Sequence, residues 1–329
     1  MLKATNMNKL PPLPLVDGHF LIDNSAIEKF KCPRAWQYSE LERKTPVSAR
    51  AGANFGSTIH RGLETRYKLV GNKKVDNATQ IAIDTAMHEW LQESPQPDHD
   101  FRNFDHACTM SRVYNQIYGD EGFTILKNHV GKPIIEASFA LPFGSVMNVP
   151  ILYCGKIDLG IQDNNGIWSF DHKTAFQFGD GFSKQMAMDG GQLGYCWALG
   201  QVTGQKPVGY IIDAIRVRRP TVKQSTLGET PIDGSDFTRT PYYVTDDMLA
   251  EWKTDVLAII KDIFLCHDHD LFPRHRWQCV NKYGACEFYD VCSTPRAQRD
   301  MILESNLFEE NTWTKGLKVA SDKENKENV

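Results

Sequence analysis

The chain of 329 residues has no excess of positive charge: 37 Lys and Arg stand against 41 Asp and Glu, a formal net charge of −4. A protein that coats nucleic acid with a uniformly basic surface is excluded, so any such binding must use a local groove. Long hydrophobic runs are also missing, which excludes an apolar membrane-spanning helix. Residues 1–14 lack the apolar block of a signal peptide, and the expected compartment is the cytoplasm, with no membrane partner. Cysteine is scarce, at 8 residues, too few for a disulfide scaffold of this length; in a reducing compartment, grouped cysteines read as metal ligands or redox groups. No internal repeat is evident. What is present is 41% apolar residues, ample material for a core in a chain this long.

The front of the chain reads as helical. Residues 1–24 form a Pro-rich extended segment. Ser25 and Glu28 have the spacing of a capping box, opening a helix that Pro33 kinks or delays. Helices are expected over 57–70, 77–91 and 105–118. After Gly131 the period changes to two, predicting strands over 133–141, 149–161 and 167–173, the last pair joined at Asp163-Asn164-Asn165-Gly166. A helix over 189–199, a strand over 208–217, a loop over 220–240 and a helix over 246–266 capped by Thr245 follow. The expected organisation is one α/β domain over 25–300: a helical part (25–130), a mixed sheet core flanked by helices (131–220) and a helix with a cysteine-rich segment (241–300). A tail over 301–329 ends in about ten residues too charged to pack.

The most informative segment is Gly155-Lys156-Ile157-Asp158, followed by Asp171-His172-Lys173. With Asn165-Gly166 as the central turn residues, paired positions sum to 331: 158 lies opposite 173 and 171 is diagonal to 158. Asp158, Asp171 and Lys173 then share one face of the hairpin. Two carboxylates at that spacing suit a divalent cation with oxygen ligands, and a lysine beside them can orient an attacking water. The alternative is a cross-strand salt bridge on a solvated face.

These residues resemble the PD-(D/E)XK nuclease signature, and their surroundings resemble the RecB-like family within it. Gly56-Ser57-Thr58-Ile59-His60 is similar to that family's early Gly-x-x-x-His pattern, and Gln192-Leu193-Gly194-Tyr195 to its glutamine–tyrosine helix. Two positions depart from the pattern: Ile157 replaces the signature proline, and the tyrosine follows the glutamine by three positions instead of four. The resemblance implies a restriction-endonuclease-like core and Mg²⁺- or Mn²⁺-dependent cleavage of DNA. It assigns catalytic roles to His60, Asp158, Asp171, Lys173, Gln192 and Tyr195. The ion would be held by His60, Asp158, Asp171 and the His172 carbonyl. Glu136 is a further supporting candidate.

Cys279, Cys286 and Cys292, with Cys32 247 residues before the first of them, resemble the ligand set of iron–sulfur members of this family, of the AddB, CRISPR-adaptation and exonuclease V types. The resemblance implies a structural 4Fe–4S cluster, with zinc as the alternative for four thiolates. Cys266 is the reserve ligand; Cys108, Cys154 and Cys196 read as core. The basic clusters Arg61/Arg66/Lys68, Arg216/Arg218/Arg219 and Arg274/Arg276 are candidates for phosphate contacts, with Trp168, Tyr195 or Trp197 stacking on bases. The expected activity is exonucleolytic trimming of single-stranded DNA in recombination, repair or replication, alongside a helicase, recombinase or single-strand-binding protein. An endonuclease and a DNA-binding scaffold with little cleavage are the rivals.

Overall fold

The computed structural model describes residues 11–47, 51–93, 101–221, 223–224, 232–281 and 284–311. The tail over 312–329 and part of the expected loop over 220–240 lie outside them. In chain order the principal elements are β1 (Leu15–Val16), β2 (His19–Ile22), α1 (Asn24–Lys29), α2 (Pro33–Trp36), β3 (Lys44–Pro46), α3 (Ala51–Val70), α4 (Asn77–Glu93), α5 (Phe104–Ile117), β4 (Thr124–Ile125), β5 (Ile135–Val146), β6 (Val149–Asp163) and β7 (Gly166–Ala175). Then come α6 (Asp180–Ala187), α7 (Gly190–Thr203), β8 (Pro207–Arg216), β9 (Phe237–Tyr243), α8 (Asp246–Asp268), β10 (Val280–Asn281), β11 (Gly284–Ala285), α9 (Tyr289–Ser293), α10 (Arg299–Leu303) and β12 (Phe308–Glu310). The chain is thus a mixed α/β protein, as its changing periodicity implies. Among the described residues no helix is long and apolar enough to cross a membrane.

Two compact units divide these elements: residues 1–48, 139–155 and 250–329 in one, and 49–138 and 156–249 in the other. In the first, β2 runs parallel to the start of β6, Phe20 beside Ile151 and Ile22 beside Tyr153. Its core is aromatic. Tyr153 meets Phe143 and Trp252 at 5.3 Å between ring centroids, and Phe20 meets Phe264 edge-on at 5.0 Å. Aromatic contacts of this geometry add to the area they bury. Asp23, not Ser25, caps α1: its carboxylate accepts from Ala26 N at 2.8 Å. Pro33 does more than kink that helix. It occupies the first turn of a separate one, α2, where its missing N–H costs nothing.

The second unit carries the strand order β6-β7-β8-β9, with β4 on the other side of β6. β7 and β8 are parallel, the other pairs antiparallel. Helices cover both faces. Ile59, Leu63 and Tyr67 of α3, Met87 of α4 and Met110 of α5 pack with Leu159, Phe170 and Ile215. The other face of β8, with Tyr210, Ile212 and Ala214, packs on Met186 and Cys196 from α6 and α7. A strand buried on both faces reads as a near-continuous apolar run, which Tyr210-Ile211-Ile212-Asp213-Ala214-Ile215 is, apart from one aspartate. β9 falls where the composition predicts a loop, because Thr and Pro241 are tolerated on an outer strand. Its approach is close: a Cβ on Gly209 would lie 1.9 Å from the Tyr242 carbonyl oxygen.

Candidate metal centre and cysteine pocket

The β6–β7 hairpin turns on Asn164 and Asn165, with Asp163 paired to Gly166, so opposite positions sum to 329 instead of 331. The Asp163 carboxylate selects this turn. Its Oδ1 accepts from Asn165 N at 2.7 Å, Gly166 N at 3.1 Å and Trp168 Nε1 at 2.9 Å. A shift of two residues preserves which face each side chain takes but changes its neighbour. Continued one step, this register sets Asp158 beside Asp171, not Lys173. Ladder pairing stops at Leu159 and Phe170. Beyond it the Asp158 side chain takes up a freed backbone donor, accepting from His172 N at 3.1 Å.

α3 brings His60 to this point. A Cβ on Gly56 would lie 3.0 Å from Thr174 Oγ1, so the glycine lets the helix settle against the end of β7. His60 Nδ1 stands 3.3 Å from Asp158 Oδ2 and 3.6 Å from Glu136 Oε1. The three side chains offer donor atoms that all lie within 4.8 Å of one another. Glu136, which pairs with Lys156, has a left-handed backbone, φ +47°. That conformation is unfavourable for a non-glycine residue and tends to cluster at functional sites. Asp171 is buried, its Oδ2 2.7 Å from Lys173 Nζ but without a well-aligned hydrogen bond.

Burial and opposite charge compete across the group. Burial, only partly countered by His60, raises the Asp158 pKa. For His60, burial opposes the charged form, yet Asp158 and Glu136 raise the pKa to about 9. For Glu136, burial opposes ionisation, but His60 and Lys156 bring the pKa down to about 2. Lys173 is held in its charged form against burial by Asp171 and Asp158, with Asp189, the cap of α7, adding to them. Two carboxylates and an imidazole are a donor set that fits a divalent cation. Gln192, one turn into α7, is buried with its Oε1 lacking a hydrogen-bond partner among the described residues. Tyr195 is half-buried on the same helix.

The structure places the expected residues at different points. The His172 ring, as distinct from the carbonyl expected to bind the ion, turns to Asp213, at 2.7 Å. Asp171 lies outside the close triad and keeps company with Lys173. Trp168 is buried at 1% exposure and cannot stack on a base; Tyr195 and Trp197 are half-buried. Of the basic clusters, Arg66 is fully buried, Arg61 and Lys68 pair with Glu64, and Arg216 and Arg218 pair with Asp236. Sequence reasoning missed Asp213, Arg239 and Tyr114. The single signal for them was the lone aspartate inside the apolar run of β8.

In the first unit, Cys32, Cys279, Cys286 and Cys292 line one pocket with Arg274 and Phe288. Cys266 is not among its lining residues. The segment before α2 is tied to the late chain by protein contacts as well. Trp36 stacks on Phe272 at 5.8 Å, Arg34 N donates to Pro273 O at 3.1 Å, and Lys29 pairs with Glu287. Burial raises the Cys286 and Cys292 thiols, with Arg274 acting in the opposite direction on Cys292. Four convergent sulfurs in a partly apolar recess fit either a cubane cluster or zinc in ligand type.

Residues 25–293 match the PD-(D/E)XK nuclease superfamily, and the chain belongs to it. Nucleases of this superfamily are hydrolases that use divalent metal ions, and the His60–Glu136–Asp158 group offers a place for one. Among solved structures, the chain is similar to a protein from Eubacterium rectale described as "Putative exonuclease" (12% identity, TM-score 0.47, covering 89% of this chain and 100% of that one). It is also similar to SSO0001 (12% identity, TM-score 0.33, covering 72% and 84%). No curated protein matches.

Proposed function

We propose that the chain is a Mg²⁺- or Mn²⁺-dependent deoxyribonuclease that trims single-stranded DNA from a free end. The observation that carries this reading is the carboxylate–imidazole–lysine group where β6 and β7 part, inside the span that matches the nuclease superfamily. Asp158, Asp171, His60 and the His172 carbonyl would hold the cation, with Glu136 beside them. When bound, the ion supplies Lewis acidity toward a phosphate oxygen and lowers the pKa of a water. Lys173, anchored on Asp171, donates to the attacking water and keeps it in line with phosphorus. Gln192 presents an unpartnered amide oxygen that positions the Lys173 ammonium or the strand, and Tyr195 flanks it on α7.

The preference for single strands rests on charge. Arg61, Lys68, Arg216 and Arg218 already pair with Glu64 and Asp236, so these clusters have less charge to offer the phosphates of an intact duplex, whereas a single strand needs fewer contacts. Recombination, repair and replication are the settings that supply such strands, through a helicase, recombinase or single-strand-binding protein. The cysteine pocket would hold a structural 4Fe–4S cluster. Four thiolates also suit zinc, which is the alternative occupant.

End-labelled linear strands and covalently closed circles of the same sequence, incubated with Mg²⁺ or Mn²⁺, test the reading. Linear strands should shorten progressively while circles persist, and the rate on linear strands should fall steeply with salt as counterion release is lost. Circles cut as fast as linear strands would make the enzyme an endonuclease and leave the metal centre standing.

A further inference from the structure

On the face of β7 away from Asp171 and Lys173 lies a buried polar network for which hydrolysis has no direct use. Asp213 of β8 is fully buried. Its Oδ2 lies 2.7 Å from Nδ1 of His172 and accepts from the Tyr114 hydroxyl at 2.7 Å, while its Oδ1 accepts from Arg239 Nε at 2.9 Å. Arg239 in turn donates to the Tyr114 hydroxyl at 2.7 Å and pairs with Glu121. A carboxylate that already receives Arg239 and Tyr114 acts toward the His172 ring as an acceptor, which places the ring proton on Nδ1. The ring is enclosed on its other sides, stacked on Tyr67 at 5.8 Å and set edge-on to Phe170 at 5.3 Å and His60 at 5.8 Å.

Burying a carboxylate in a strand covered on both faces is costly, and a well-packed apolar residue of similar size would be at least as stable. Something else must keep it there. His172 is the residue whose backbone N–H donates to Asp158 Oδ2 at 3.1 Å, beyond the end of the β6–β7 ladder but within the parallel ladder that pairs His172 with Asp213 of β8. On its β6 side that N–H meets a side chain in place of a ladder carbonyl. We propose that Asp213 and His172 form a positioning device: the bond between their side chains reinforces the β7–β8 pairing at the His172 peptide, whose N–H then aims the Asp158 carboxylate for a divalent cation. Arg239 and Tyr114 hold Asp213 in place. This rests on the reading of Asp158 as a cation ligand.

Binding of Mn²⁺ alone to the full chain, measured by calorimetry and by the loss of free-ion electron paramagnetic resonance signal, tests it without recourse to cleavage. Asp158→Asn sets the scale of a lost ligand. Groups that orient metal ligands typically contribute 10- to 100-fold in affinity, and His172→Ala should weaken Mn²⁺ binding by that factor with an unchanged circular dichroism spectrum. His172→Asn retains an N–H donor near the position of Nδ1, and it should recover at least half of that loss on a logarithmic scale. A merely structural role would give no such rescue. Should His172→Ala not fold, His172→Leu, which fills the apolar slot beside Phe170, replaces it. The proposal is overturned if the alanine or leucine variant binds Mn²⁺ like the wild type while Asp158→Asn does not, or if His172→Asn is as weak as His172→Ala. Wild-type binding by Asp158→Asn would remove the cation site itself, and the positioning device with it.

Discussion

Asp158→Ala should lower hydrolysis of single-stranded DNA by about 10³-fold or more, because a metal centre contributes several kcal/mol to the transition state and each 1.36 kcal/mol is about tenfold. Lys173→Ala should cost about 10²- to 10³-fold, the loss typical of removing one donor that stabilises developing charge. Neither side chain is part of the apolar core. Removing Asp158 frees the His172 N–H, a change on the order of 1 kcal/mol. Removing Lys173 is different in kind: it leaves Asp171 buried without its cation. Lys173→Gln, which keeps a donor but no charge, separates the two effects. It should fold normally and remain inactive. Release of nucleotides from an end-labelled strand with Mg²⁺ or Mn²⁺, beside thermal unfolding, checks all three. Wild-type rates in the purified Asp158→Ala or Lys173→Ala protein would detach the hairpin from the chemistry.

The hairpin also shows how far residues alone carry the argument. That Asp158, Asp171 and Lys173 belong together was legible from strand alternation, since the true register differs from the expected one by an even number of positions. The register itself was not legible. It depends on three hydrogen bonds to a single carboxylate, Asp163, and Asn-Gly composition points equally well to a turn one residue later. The helices of the second unit followed from their 3.6-residue spacing, whereas β9 was hidden because an outer strand tolerates the Thr and Pro that otherwise mark a loop. Asp213 and Arg239 are 26 positions apart and become partners only when β8 and β9 pair; no local pattern encodes that. The basic clusters misled for a related reason. Sequence counts the charge of Arg66, Arg216 and Arg218 but not the acids that fold against them.

Cys32→Ser should abolish the brown colour of anaerobically purified protein and lower its melting temperature by about 10 °C or more. Wild-type protein should carry about four irons and four sulfides per chain, as a cubane cluster requires. Cys32 lies 247 residues before the first of the other three cysteines, so a cluster there would close a loop of about three quarters of the chain. Binding to the folded state alone adds directly to folding free energy, and a loss of about 7 kcal/mol corresponds to about 10 °C for a chain of this size. The expected drop is smaller than complete unfolding, because Trp36 on Phe272, Arg34 on Pro273 and Lys29 on Glu287 tie the same two segments without any metal. Cys266→Ser supplies the control: its side chain lies outside the pocket, and colour and iron content should be unchanged. Stoichiometric zinc without sulfide would replace the iron–sulfur assignment. A colourless wild-type protein with the same melting temperature as Cys32→Ser would mean that the protein contacts alone hold the two segments together.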